Sequence, residues 1–257
     1  NNAKKGGARD KIVPIILGII SAISILTTIA ILFTLLTETI TFFTRVPFSK
    51  FFLSGTWNPT GSSPEYGIWA LIIGTLKITI IATIVSVPIG LGAAIYLNEY
   101  ASDKARRIIK PILEILAGIP TIVFGFFALT FVTPLLRSFI PILGEFNSIS
   151  PGIVVGIMIV PVITSMSEDA MSSVPNKIRE GAYGLGATKF EVATKVVLPA
   201  ATSGVVASIV LGISRAIGET MIVSLAAGSS PTSSLSLTSS IQTMTGYIVD
   251  CLLYTSD

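Results

Sequence analysis

Five apolar stretches, each long enough to cross a hydrocarbon core that takes about 20 residues of helix, constrain this chain more than any other feature. They cover residues 12–36, 68–97, 112–136, 152–171 and 200–226. Composition agrees, because 51% of the 257 residues are hydrophobic and only 12% are charged, where soluble domains carry about a quarter charged residues. The expected fold is an all-α, polytopic transmembrane helical bundle embedded in the lipid bilayer. The first stretch follows Lys4, Lys5, Arg9 and Lys11, as a secretory signal would. Its apolar run is roughly twice a signal core's length and no A-x-A site follows it, so a retained membrane anchor is expected.

Lys and Arg mark the connecting segments that stay in the cytoplasm. Residues 1–11 carry four of them, residues 100–110 carry Lys104, Arg106, Arg107 and Lys110, and residues 172–199 carry Lys177, Arg179, Lys189 and Lys195. The alternate segments hold only Arg45, Lys50 and Arg137. The alternation predicts a multi-pass membrane protein with a cytoplasmic N-terminal tail over residues 1–11 and the membrane domain over 12–257. It also explains the formal net charge of +3 as topology, leaving no nucleic-acid footprint. Pro88, Pro120 and Pro161 fall inside predicted crossings as kinks, and Gly90, Gly92, Gly118, Gly125 and Gly156 mark close helix packing.

Catalytic chemistry has little to stand on. The chain has no histidine and one cysteine, Cys251, which excludes a common zinc site, a Ser/His or Cys/His pair and an internal disulfide. There is no G-x-x-x-x-G-K-[ST] phosphate-binding loop, so the chain does not read as a nucleotide hydrolase. No catalytic residue, metal or cofactor of its own is expected.

Residues 174–199 hold the most information. Pro175 suits the first position of a helix, with Ile178, Ala182 and Leu185 as its apolar stripe and Gly184 and Gly186 as its end. Thr188 and Glu191 are spaced as a capping box, which opens a second helix striped by Phe190, Ala193 and Val197. Two such stubs are too short to stand alone, so they pack on the bundle or dock in a partner's groove.

This loop resembles the cytoplasmic signature of bacterial ABC importer permeases: E-A-A, three residues, G, nine residues, I, one residue, L-P. Glu180, Gly181, Ala182, Gly186, Val196, Leu198 and Pro199 keep every spacing, with Gly181 for Ala and Val196 for Ile. The resemblance implies a MetI-like permease fold in the plasma (inner) membrane of a bacterium or archaeon, in which residues 174–199 are the element seated in a separate ATP-hydrolysing subunit. ATP would then be used by that partner.

Two charges fall in the last stretch, Arg215 and Glu219, four residues apart and so on one face of a helix and within reach of each other. Each costs roughly 2.5–3.5 kcal/mol on insertion scales. A structural ion pair and an anion path, with the arginine fork matching the oxygens of phosphate, both remain open. The run Arg215, Ala216, Gly218, Glu219, Thr220, Met221 is similar to the R-A-x-G-E-T-M stretch of the phosphate (Pst) branch of these permeases, whereas the sulfate and molybdate branch tends to carry G-E-F-G. The segment around Gly55, Thr56, Trp57 and Pro59, and residues 117–129, resemble the same branch. In that branch the arginine and glutamate belong to the substrate pathway. The resemblance further implies a PstA-like second permease, a PstB-like ATP-binding dimer and a PstS-like external phosphate-binding protein as partners. It also implies a sixth crossing, so the sequence reads as a fragment with an atypical tail over 250–257. An importer of another oxyanion (sulfate, molybdate or phosphonate) and an ion-coupled secondary transporter are the alternatives. Lys77 is expected to snorkel, Glu168 and Asp169 to be solvated or ion-paired, and the Ser/Thr-rich residues 229–240 to form an exposed loop.

Overall fold

A computed structural model describes the backbone of residues 8–59 and 63–254, and the side chains of residues 12–59 and 63–252. The basic tail with Lys4 and Lys5 and the last residues of the atypical tail lie outside the described residues. The chain divides between Leu53 and Ser54 into two compact units.

The first unit holds α1 (Ala8–Arg45) and α2 (Phe48–Leu53). At 1.5 Å per residue, the 38 residues of α1 span about 57 Å, well beyond the roughly 30 Å a bilayer core requires. The helix thus continues through residues 37–45, which were expected to be a connecting segment. Its threonines keep it fit for lipid, because each hydroxyl donates back to a carbonyl of the preceding turn, as in Thr27 to Ile23 (2.8 Å), Thr34 to Ala30 (3.0 Å) and Thr39 to Leu35 (2.7 Å). Phe43 stacks on Phe48 at 4.2 Å between ring centres and fixes the turn at Pro47.

The second unit is mainly helical and also carries an irregular segment over 228–243 and a two-stranded antiparallel hairpin, β1 (Trp57–Asn58) on β2 (Glu65–Tyr66), which apolar patterning did not reveal. Its centre is the packing of α3 (Trp69–Ile95), prolonged by a π-helical turn (Tyr96–Tyr100), against α7 (Ile149–Ser172). Gly152 and Gly156 make this seam. A β-carbon on Gly152 would stand 2.7 Å from Ile81 Cγ2, and one on Gly156 would stand 2.8 Å from Val85 Cβ and 2.9 Å from the Ala82 carbonyl. Only hydrogen fits there, which is how lipid-embedded helices gain dispersion contacts without a hydrophobic driving force. Ile78, Ala82, Val155, Met158 and Ile159 close the seam as a dry core.

The third stretch departs from expectation. Residues 103–118 form a separate amphipathic helix, α4 (Asp103–Gly118), capped by the Ser102 hydroxyl. Ile119 and Pro120 are extended, with ψ of 129° and 136°. Pro120 forces the residue before it out of helical geometry, so it ends a helix where a kink was expected. The crossing itself starts at α5 (Thr121–Phe127), passes a π-helical turn (Ala128–Val132) and ends with α6 (Thr133–Phe139). Pro88 and Pro161 lie inside α3 and α7, each a single helix. Of the five glycines expected at contacts, Gly90, Gly125 and Gly156 are crowded by neighbours, while Gly92 and Gly118 face open space.

Among the described residues, four helices are long and apolar enough to cross a membrane, and five if a bent pair counts as one. Lys77 does not snorkel. It is buried at 7% exposure, and its ammonium donates to the Ser234 carbonyl and, at 2.8 Å, to the Ser236 carbonyl. Residues 229–240 are therefore tied down along one edge, where Ser148 Oγ also donates to Leu237 O at 2.8 Å, while Leu235 stays exposed. A chain segment rich in carbonyls supplied a buried cation with partners that spacing did not predict.

Two glycines give opposite expectations. Gly156→Ile should destabilise the bundle by about 1–3 kcal/mol, the usual cost of overpacking, seen as a lower unfolding temperature in detergent. Gly92→Ala, with nothing within 4 Å of the added carbon, should leave that temperature unchanged or raise it. Equal unfolding temperatures for Gly156→Ile and the parent would show that the seam is loose.

Candidate functional site

The loop after α7 folds as its local sequence directs. Pro175 precedes α8 (Asn176–Gly184), and the helix closes through Leu185 N donating to Gly181 O at 3.2 Å and Gly186 N to Tyr183 O at 2.9 Å. Gly186 takes φ +86°, the left-handed corner that favours glycine. Thr188 then opens α9 (Lys189–Glu191) with a complete capping box: Glu191 N donates to Thr188 Oγ1 at 3.3 Å, and Thr188 N donates to Glu191 Oε2 at 3.1 Å. The Thr188 backbone N–H, Lys195 at 3.0 Å and the Thr188 hydroxyl hold the Glu191 carboxyl down to about 2, so the cap is ionised across the physiological range. The helix continues as a π-helical turn (Val192–Val197) into α10 (Leu198–Ala200).

The π-helical turn changes which face is buried. Val192, Ala193 and Val197 are 0%, 1% and 0% exposed, and Val192 and Val197 pack with Ala94, Met171, Val174 and Val205 into a second core cluster at one end of the bundle. Ala182 and Leu198 lean on the same cluster. Of the expected stripes, Ile178, Leu185 and Phe190 instead point away, at 47%, 91% and 66% exposure, with Tyr183 beside them. Glu180, Gly181, Gly186 and Pro199 are also on the open side. The loop is thus seated on the bundle by one face and presents an apolar ridge with the other. An inserted residue per turn shifts the register, and no sequence period announces it.

Glu168, at the α7 end nearest this loop, is 2% exposed and receives Lys110 Nζ at 2.6 Å and Arg106 Nε at 3.9 Å, both from α4, while Asp169 is exposed. The ion-paired alternative therefore holds for Glu168 and the solvated one for Asp169.

Arg215 and Glu219 do not share a helix. After a 76° bend at Ala201, α11 (Thr202–Ile217) ends at Gly218, and α12 (Met221–Ala226) starts after a break at 218–220. Glu219 sits in that break at 8% exposure. Its Oε1 accepts from Ile222 N at 3.3 Å, capping α12, and its carbonyl accepts from Thr245 Oγ1 at 2.8 Å. Arg215 is exposed on α11 and forms no ion pair among the described residues. The face-sharing pair expected from the four-residue spacing is not formed, because the glycine after α11 breaks the helix before Glu219 can reach back. What results is a helix-capping carboxylate and an exposed guanidinium on an apolar helix.

A cleft of about 830 Å³ lies in the second unit between the hairpin, residues 229–231 and α13 (Met244–Tyr254). Among the described residues its lining includes Glu65 and Asp250 and no Lys or Arg, which is the wrong charge for an anion site.

Comparison with known proteins fits this geometry. Residues 86–255 match the family described as "Binding-protein-dependent transport system inner membrane component". A Bacillus subtilis (strain 168) protein named "Probable ABC transporter permease protein YqgH" is 40% identical over 180 residues, covering 70% of this chain and 58% of that protein. The "Phosphate transport system permease protein PstC" of Pasteurella multocida (strain Pm70) is 38% identical over 198 residues, covering 70% and 61%. The protein of the same name from Mesorhizobium japonicum is 34% identical over 221 residues, covering 78% and 67%. The chain thus spans about 60% of the length of most of these curated relatives. With the family match taking in well over half of its residues, and with its helices built for a bilayer, the chain belongs to the inner membrane components of binding-protein-dependent transport systems.

Proposed function

We propose that the chain is a PstC-like permease subunit of an ABC importer for inorganic phosphate, forming half of the transmembrane path. The observation that carries this reading is the two-faced loop: Val192 and Val197 hold it to the bundle while Leu185 and Phe190 stand out for a partner. An apolar ridge on a short helical corner, next to the basic segment 100–110, suits a groove on a separate ATP-binding dimer. The N-terminus, residues 100–110 and residues 172–199 lie on the cytoplasmic side in this reading, by their Lys and Arg. ATP is hydrolysed by the partner, and this chain contributes no catalytic group or cofactor. A PstA-like permease completes the path, and a PstS-like protein delivers substrate from outside.

Phosphate is supported by the PstC relatives and by Arg215. An exposed guanidinium on an apolar helix is costly unless it faces an aqueous path, an anion or a partner helix. In this account Arg215 meets the anion with its planar fork, and Glu219, by capping α12, sets the break that keeps α11 ending just after the arginine.

Two measurements follow. Arg215→Ala should lower phosphate uptake by the assembled complex about 10- to 100-fold, the worth of a charged hydrogen-bond pair, and Arg215→Lys should recover it only in part. Sulfate uptake in place of phosphate would assign the permease to another oxyanion. Gly186→Pro cannot adopt φ +86° and should leave insertion intact while uncoupling ATP hydrolysis from uptake. Normal uptake by that variant would sink the coupling role of the loop.

A further inference from the structure

We propose that Arg179 is the positioning residue that keys the coupling loop to the membrane spans, through a shielded ion pair with Glu99; this rests on the importer reading above. Arg179 lies on α8, and Glu99 lies in the π-helical turn that ends the second crossing. Their Nη1 and Oε1 atoms are 2.9 Å apart, with the side chains only 15% and 5% exposed. The other terminal nitrogen, Nη2, donates to the Met171 carbonyl at 2.6 Å, in the last turn of α7. One guanidinium thus joins three elements: the coupling helix, the end of α3 and the end of α7.

Neighbouring bonds brace the same ends. Asn98 Nδ2 donates to Ser172 Oγ at 2.8 Å, linking the two crossings, and Arg106 Nη2 donates to Leu97 O at 2.6 Å. A force on the exposed Leu185 and Phe190 ridge therefore reaches α3 and α7 through a guanidinium whose Nη1 faces Glu99 and whose Nη2 holds Met171 O, while its buried Nε has no hydrogen-bond partner. A guanidinium so held fixes orientation as well as distance, which a lysine at the same place would not. The exposed Lys195–Glu191 pair, with side chains at 71% and 41% exposure and both ends on one helix, has no such reach. Removing one partner of Arg179–Glu99 leaves a shielded charge behind, so the pair is read best by exchanging it.

The test uses the full complex in proteoliposomes, with ATP hydrolysis and uptake of radiolabelled inorganic phosphate normalised to assembled complex. Glu99→Gln and Arg179→Gln should each raise the ATP consumed per phosphate carried at least tenfold, and the exchange Glu99→Arg with Arg179→Glu should bring it back to within about threefold of the parent. In parallel, spin labels on Lys104→Cys and Lys177→Cys, in a Cys251→Ser background, should give a narrow distance distribution in the parent and the exchanged pair and a broad one in the single variants. Parent-like stoichiometry and distances in the single variants would overturn the proposal. If the single variants do not assemble, recovery of both readouts in the exchanged pair supports it, and an assembled but uncoupled exchanged pair overturns it. A parent complex that carries no phosphate but shows the predicted distance changes would instead remove the substrate reading and leave the joint standing.

Discussion

The seam between α3 and α7 sets the rest of the molecule. Where Gly152 meets Ile81 and Gly156 meets Val85, the two backbones approach as closely as hydrogen allows. Lipid offers no hydrophobic drive to push helices together, so this close approach and the dispersion contacts it permits must hold them. With α7 fixed on α3, α11 packs across the pair and α12 packs on α7 and α5, and 67% of the most apolar window of α7 is buried within the chain. The ends of these two helices then become a firm platform. The loop over residues 174–199 is seated on that platform through Val192 and Val197, so a rigid element stands wherever the seam delivers it.

What the sequence disclosed well was whatever depends on length or on short-range chemistry. Apolar runs gave the crossings formed by α1, α3 and α7, since twenty apolar residues admit few alternatives in a chain so poor in charge. The Thr188–Glu191 capping box and the Gly186 corner followed from residues three apart or fewer, and both are formed. Other features were hidden for physical reasons. An amphipathic helix running straight into an apolar one, as at Ile112–Gly118 before Thr121, looks continuous to any hydropathy window, and only the steric demand of Pro120 separates them. The π-helical turn at Val192–Val197 takes the chain off the 3.6-residue period, so Val192 is buried beside Ala193 and Val197 although the expected stripe did not include it. Lys77 found its carbonyl partners more than 150 residues away, beyond the reach of local pattern.

The Arg215 and Glu219 pair shows how a break redistributes roles. On an unbroken helix the two charges would neutralise each other and the site would be silent. The interruption at 218–220 gives the carboxylate a backbone amide to hold and leaves the guanidinium uncommitted on an apolar surface. A broken helix in a membrane costs backbone hydrogen bonds, and here Glu219 and Thr245 restore two of them. Family membership rests on the sequence match and the bilayer-spanning helices. The role of the break as part of an anion path belongs to the proposed importer.

Transport energised by a separate ATPase acting on the ridge of residues 174–199 is the central claim. Its most direct measurement is phosphate uptake into proteoliposomes holding the complete complex and the external binding protein, with no ion gradient across the membrane. The account predicts uptake only when ATP and magnesium are supplied on the side of that ridge, and none without them. Uptake that ignores ATP and follows an imposed proton or sodium gradient would contradict it.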